Sequence, residues 1–161
     1  EKQVKYAIKK YKSKEKQFTS DYGQIKNFGK FDIITVNGLI EYLPNSEILE
    51  LIGVIKQVSK NGATILITTP NYSLLFYAIE KISTYFGIKD YNEVSNNKFN
   101  KKSLEKLLNK SEAEVINIKK IINFGVLFAF INSDLAIKIE KFFEKLFNNK
   151  LGFILMAELK I

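Results

Sequence analysis

The residues of this chain that could do chemistry sit where apolar runs stop. Asp21-Tyr22-Gly23 follows Phe18–Ser20, and Asn37-Gly38-Leu39 follows Phe31–Val36. Asn71-Tyr72 follows Thr64–Thr69 and Pro70, while Glu41 and Tyr42 lie just past the second run. Strand ends of this kind are where ligands bind in open α/β sheets. Each residue also has a plainer role: a turn aspartate, a tight Asn-Gly turn, a solvated glutamate at a helix start, a packing tyrosine, a loop flank. There is no histidine and no cysteine. Histidine general bases, Ser/His and Cys/His nucleophile pairs, disulfides and thiolate–metal sites are therefore excluded, together with most transition-metal sites. Any chemistry must come from Asp, Glu, Lys, Tyr, Ser, Thr, Asn or the backbone.

The elements that must position these residues follow from hydrophobic periodicity. Residues 1–12 carry Val4, Ala7, Ile8 and Tyr11 at helical spacing, and Phe18–Ser20 is a short strand candidate. Phe31–Val36 is a β-branched run closed by Asn-Gly, which predicts a strand buried on both faces. Pro44-Asn45-Ser46 opens a helix with Ile48, Ile52 and Ile55 on one face, and Asn61-Gly62 is expected to stop it. Thr64–Thr69 is a second strand, so strand, helix and strand form a right-handed βαβ unit. Further on, the pattern predicts a helix over Ser73–Phe86, a loop over Gly87–Asn100, a helix over Lys101–Lys110 and a strand over Val115–Ile122. A helix then carries Leu135, Ile139, Phe142, Phe143, Leu146 and Phe147 and stops at Asn148-Asn149, with a last strand over Leu151–Ile161. The phenylalanines at 142, 143 and 147 read as core.

Composition bounds the partners. The 161 residues are 46% apolar and 26% charged, the profile of one domain able to bury roughly two-thirds of its unfolded surface. All 25 basic residues are lysines spread along the chain, giving a net charge of +8. Without arginine there is no planar fork for guanine edges or phosphate, so the charge reads as solvated faces before a nucleic-acid or anionic-membrane partner. The longest apolar stretch, Ile121–Ile131, is too short to span a bilayer and is broken by Asn123 and Gly125. With no signal peptide recognisable, a cytoplasmic location is expected.

The stretch Phe31–Asn71 resembles the middle of class I S-adenosylmethionine-dependent methyltransferases, closest to the small-molecule group that includes the ubiquinone-biosynthesis type. The matching pieces are Phe31-Asp32 opening an apolar strand, Leu39–Pro44 with Glu41 in place, Lys60-Asn61-Gly62-Ala63, and Thr69-Pro70-Asn71. Phe99–Leu108 is similar to the family's F-x-x-x-x-L-x-x-L-L segment. The resemblance implies an α/β, Rossmann-like sheet, mostly parallel with an antiparallel last strand, and S-adenosylmethionine as cosubstrate. By the same resemblance Asp21 would accept from the adenine amino group, Tyr22 would flank the ring, and Asn37, Gly38 and Leu39 would line the donor near its sulfonium. Tyr42 stands where many relatives carry histidine, and Tyr42, Asn71 and Tyr72 would face a small-molecule or lipid-like acceptor. The turn after Val36 is Asn37-Gly38-Leu39-Ile40, without the proline pair of enzymes that methylate bases, so no nucleic acid is expected.

The family's glycine-rich loop and its ribose-binding acid match nothing in residues 1–161. The expectation is a single partial methyltransferase domain over 1–161 whose N-terminal strands are missing from this chain. The alternative is a non-catalytic, degenerate methyltransferase fold that serves as a binding or scaffold subunit and needs a partner subunit to cover its sheet edge. A third possibility is a peripheral membrane protein using lysines and the Phe-rich helix.

Overall fold

The computed structural model describes residues 2–13, 16, 18–19, 21–73, 76–77, 81, 95–123, 125–129, 131–147 and 150–161. Four strands, β1 (Phe31–Asn37), β2 (Ser59–Pro70), β3 (Glu114–Ile121) and β4 (Ile154–Lys160), form one sheet in the order β1-β2-β4-β3. β1 and β2 are parallel, and β4 runs antiparallel to both β2 and β3. The helices are α1 (Lys2–Tyr11), α2 (Asn45–Val58), α3 (Lys101–Leu108) and α4 (Ser133–Phe147), with 3₁₀ segments at Tyr22–Phe28, Ile40–Tyr42 and Gly125–Phe128. The α/β sheet is present and its last strand is antiparallel, as expected; among the described strands the sheet is mixed, with one parallel and two antiparallel pairs.

Period-2 and period-3.6 patterns meet on one face. Ile65 and Ile67 of β2, Leu155, Ala157 and Leu159 of β4, and Val36 and Ile118 are buried, and the register sets Ile67 opposite both Val36 and Ala157. Ile48, Ile52, Ile55 and Val58 of α2 and Leu104, Leu107 and Leu108 of α3 are buried too, and all but Val58 join the same core cluster. Asn100 caps α3 by accepting from Ser103 N–H at 3.0 Å, and Ser103 Oγ accepts in return from Asn100 N–H at 2.9 Å.

Three expectations need correction here. Phe18 and Thr19 are not in a strand; among the described residues no strand lies beyond β1 to pair with them. β1 is consequently an edge strand, and it is not buried on both faces: Ile33 is 65% exposed. α2 stops before Asn61-Gly62, because Ser59 is already extended and its Oγ donates to Ile55 O at 2.7 Å. Gly62, with φ +77°, sits inside β2, where the register to β1 shifts between Phe31 and Ile33. The expected helix over Ser73–Phe86, the loop from Gly87 to Val94 and the stop at Asn148-Asn149 fall largely outside the described residues, although Phe76, Tyr77 and Lys81 are helical.

α4 is fastened by a carboxylate and a close approach. Glu140 accepts from Asn123 N–H at 2.6 Å, Asn123 Nδ2 at 3.1 Å and Gly125 N–H at 3.0 Å. A Cβ on Gly125 would stand 2.5 Å from Ala136 O, so only glycine fits there. Ala136 is the buried residue of α4; Phe142 is 63% exposed, which corrects its assignment to the core. Two glycines therefore test the packing with opposite signs. Gly125→Ala should lower the free energy of unfolding in urea by about 2 kcal/mol through overpacking. Gly53→Ala, in α2 with nothing within 4 Å of the added Cβ, should raise it by roughly 0.5–1 kcal/mol. Equal effects would contradict the packing described.

Candidate functional site

β1 and β2 end together. Gly38 N–H donates to Thr68 O at 3.0 Å, and Thr68 Oγ1 donates to Asn37 Oδ1 at 3.1 Å. Gly38 has φ +58°, the left-handed region that favours glycine, and turns the chain into the 3₁₀ segment Ile40–Tyr42. Leu39 and Tyr42 stay exposed on either side of buried Ile40 and Glu41.

Glu41 is the residue whose plainer role fails. It is 1% exposed rather than solvated, and Thr69 Oγ1, equally buried, donates to its Oε2 at 3.1 Å. Its Oε1 would lie 3.5 Å from a Cβ on Gly38. A buried carboxylate is tolerated only when hydrogen-bonded. Here it ties the turn after β1 to the last residues of β2.

A second connection runs through Ser95–Phe99. Asn97 N–H donates to Glu41 O at 2.9 Å and Asn97 Nδ2 to Leu43 O at 2.6 Å, while Asn96 Nδ2 donates to Tyr42 O. Both ends of this strap meet Tyr72, whose N–H donates to Phe99 O at 2.8 Å and whose Oη shares a 3.3 Å hydrogen bond with Ser95 Oγ. Lys98 Nζ lies 5.8 Å from the centre of the Tyr72 ring. Tyr42 and Tyr72, 30 residues apart in sequence, are thus held by one segment. Sequence inspection gave that segment no role; the adjacent Asn96 and Asn97, side-chain amides able to satisfy the carbonyls of a turn, were the available signal.

Asn71 is buried. Its N–H donates to Phe153 O at 2.8 Å and its Nδ2 to Gly152 O at 2.7 Å, whereas its Oδ1 has no partner among the described residues. Asp21 is exposed and its contacts are local: Oδ1 accepts from Gly23 N–H at 2.9 Å, capping the 3₁₀ segment Tyr22–Phe28, and its N–H donates to Thr19 Oγ1 at 3.0 Å. Asn37, Gly38, Leu39, Tyr42, Asn71 and Tyr72 therefore gather at one end of the sheet, and among the described residues no contact ties Asp21 to them. An apolar cavity of about 230 Å³, lined by Ile25, Phe31, Ile33, Leu51 and Val54 among others, lies between the Tyr22–Phe28 segment, β1 and α2. Among the described residues no group of three or more acidic side chains could hold a metal ion.

A family model described as a methyltransferase domain matches residues 4–118. Together with the fold, this makes the chain a member of the class I S-adenosylmethionine-dependent methyltransferase family, whose cosubstrate is S-adenosylmethionine. Among solved structures it is similar to a SAM-dependent methyltransferase from Archaeoglobus fulgidus, with a TM-score of 0.58 and 16% identity over 100% of this chain and 72% of that one. It is also similar to magnesium protoporphyrin IX methyltransferase from Synechocystis PCC 6803 with bound SAH, with a TM-score of 0.51 and 11% identity over 89% of this chain and 49% of that one. At these identities the likeness is one of fold. No curated protein matches the sequence. At this end of the sheet Gly38 presents backbone without a side chain, beside the exposed apolar surface of Leu39.

The Glu41–Thr69 tie can be measured apart from any ligand. Glu41→Ala leaves a buried hydroxyl without its acceptor and should cost about 1–3 kcal/mol in urea unfolding. Glu41→Gln keeps an acceptor oxygen and should cost less than half as much. An alanine variant as stable as the parent would contradict the role given to this contact.

Proposed function

We propose that this chain takes part in S-adenosylmethionine-dependent methyl transfer to a small-molecule or lipid-like acceptor, with donor and acceptor meeting over the C-terminal ends of β1 and β2. The observation that supports this best is the convergence of the Gly38 turn, Tyr42 and Tyr72 at that one sheet end, locked by Glu41, Thr69 and the Ser95–Phe99 strap. When bound, the cosubstrate supplies an activated methyl group on a sulfonium, and attack in line with the C–S bond yields a neutral thioether and the methylated acceptor. The chain's share is alignment, which can be worth on the order of 7 kcal/mol. Asn37, Gly38 and Leu39 line the donor by their backbone and by the Leu39 side chain. Asp21 keeps Oδ1 on Gly23 N–H and offers Oδ2 to an adenine amino group. On the acceptor side are Tyr42, Asn71 and Tyr72.

These 161 residues offer no histidine to take a proton from a hydroxyl acceptor, and Glu41 accepts from Thr69. At this end of the sheet, deprotonation would fall to Tyr42 or Tyr72 as phenolate, or to ionisation of the acceptor itself. We further propose that the open edge of β1, where Ile33 is exposed, receives the strands that carry the glycine-rich turn and the ribose-binding acid, so that donor affinity belongs to the full-length protein. A partner subunit on the same edge is the second way to complete the sheet.

Calorimetric titration of S-adenosylhomocysteine into the full-length protein should show one site. Gly38→Ala should weaken it about tenfold, because a Cβ strains the left-handed turn and intrudes on the donor's backbone wall. A full-length protein that takes up no S-adenosylhomocysteine would defeat the proposal.

A further inference from the structure

The connection from β3 to β4 lies at the site end of the sheet. Ile121 pairs with Ile154, which also pairs with Pro70, so the chain from Ile122 to Phe153 leaves and re-enters beside Asn71. α4 is the main element of this excursion. Its inward face is Ala136 and Glu140, with Phe143 and Phe147 half-buried and their rings stacked at 5.6 Å. Successive residues turn by about 100°, which places Leu135, Phe142 and Leu146 on a second stripe, and all three are exposed, at 44%, 63% and 59%. Ile131, just before the helix, is 67% exposed as well. A single exposed apolar residue is ordinary, but a row of three along one side of a helix is not.

The border of this ridge is basic. Lys138 and Lys145 flank it on the outward side with Lys141 beyond them, and neither described ion pair, Lys56–Glu112 or Lys60–Asp32, involves these lysines. Of the acids in α4, Glu140 is turned inward onto Asn123 and Gly125, leaving Asp134 and Glu144. An apolar stripe edged by lysines is the pattern of a helix lying in a bilayer interface, where the ridge sinks among acyl chains and the lysines reach up to headgroup phosphates. Among the described residues no helix is long and apolar enough to cross a membrane, so contact through α4 would be peripheral. Packing ridge on ridge would bring the lysine rows of two chains, each of net charge +8, side by side, whereas an anionic surface neutralises them.

We propose that α4 docks the protein on an anionic lipid bilayer and so holds the site end of the sheet against an acceptor embedded in that bilayer. The docking stands on the geometry of α4 alone; that the acceptor is lipid-embedded rests on the methyl-transfer proposal.

The test is co-sedimentation of the full chain with phosphatidylcholine vesicles, with and without phosphatidylglycerol, at low and high salt. Partitioning should need the anionic lipid and fall several-fold at high salt. It should drop at least about tenfold in the double variant Phe142→Ser, Leu146→Ser, which removes only exposed side chains and should keep the parent's circular dichroism. Lys138→Gln with Lys145→Gln should reduce the preference for anionic lipid and leave the apolar ridge intact. Failure of the parent to sediment with anionic vesicles would overturn the proposal, as would undiminished binding by the Phe142/Leu146 variant. Light scattering that shows a dimer abolished by that variant would assign the ridge to a second copy instead. Vesicle binding without S-adenosylhomocysteine binding would leave docking intact and remove only the methyl-transfer proposal.

Discussion

The C-terminal end of β2 is the joint on which the rest of the structure depends. β2 lies between β1 and β4, parallel to one and antiparallel to the other, so the polar groups at its end are enclosed from both sides. Apart from Asn71 Oδ1, the polar groups named here find their partners in other segments. Thr68 O and Oγ1 hold Gly38 and Asn37, Thr69 Oγ1 holds Glu41, and Asn71 holds Gly152 and Phe153. Because buried polar groups must be paired, satisfying one strand end fixes the turn after β1, the 3₁₀ segment behind it and the return of the β3–β4 excursion.

Stability and geometry come from different sources in this molecule. One hydrogen bond contributes about 1 kcal/mol net, whereas burying a side chain such as Ile65 or Leu159 contributes roughly 1.5–3 kcal/mol. The apolar face shared by β2, β4, α2 and α3 therefore keeps the chain folded. The polar joint contributes less free energy but decides where Gly38, Tyr42 and Tyr72 stand relative to one another.

The βαβ unit was legible in the sequence because Ile48, Ile52 and Ile55 fall on one helical face, and Thr64–Thr69 is a compact β-rich run stopped by Pro70. Where the sequence misled, it was silent about neighbours. Phe31–Val36 looks the same whether or not another strand covers its edge, so the exposure of Ile33 could not be read from it. Phe142 and Leu146 fit an apolar stripe equally well whether the stripe faces a core or a solvent-side ridge. Glu41 looked like a solvated helix-start carboxylate because its partner, Thr69, lies 28 residues away and only the fold brings the two together. Of the candidate site, the strand-end turns were visible as motifs; the strap at Ser95–Phe99 was not, since its function is carried by two asparagine side chains inside a loop.

The central claim is that the donor lies against the turn after β1. Amide chemical-shift mapping of the isotopically labelled full-length protein during titration with S-adenosylhomocysteine tests this most directly. The account predicts that the largest changes fall at Gly38, Leu39 and the Asp21–Gly23 turn, with smaller ones at Tyr42 and Tyr72. Changes confined to other parts of the chain, or none at saturating ligand, would contradict it.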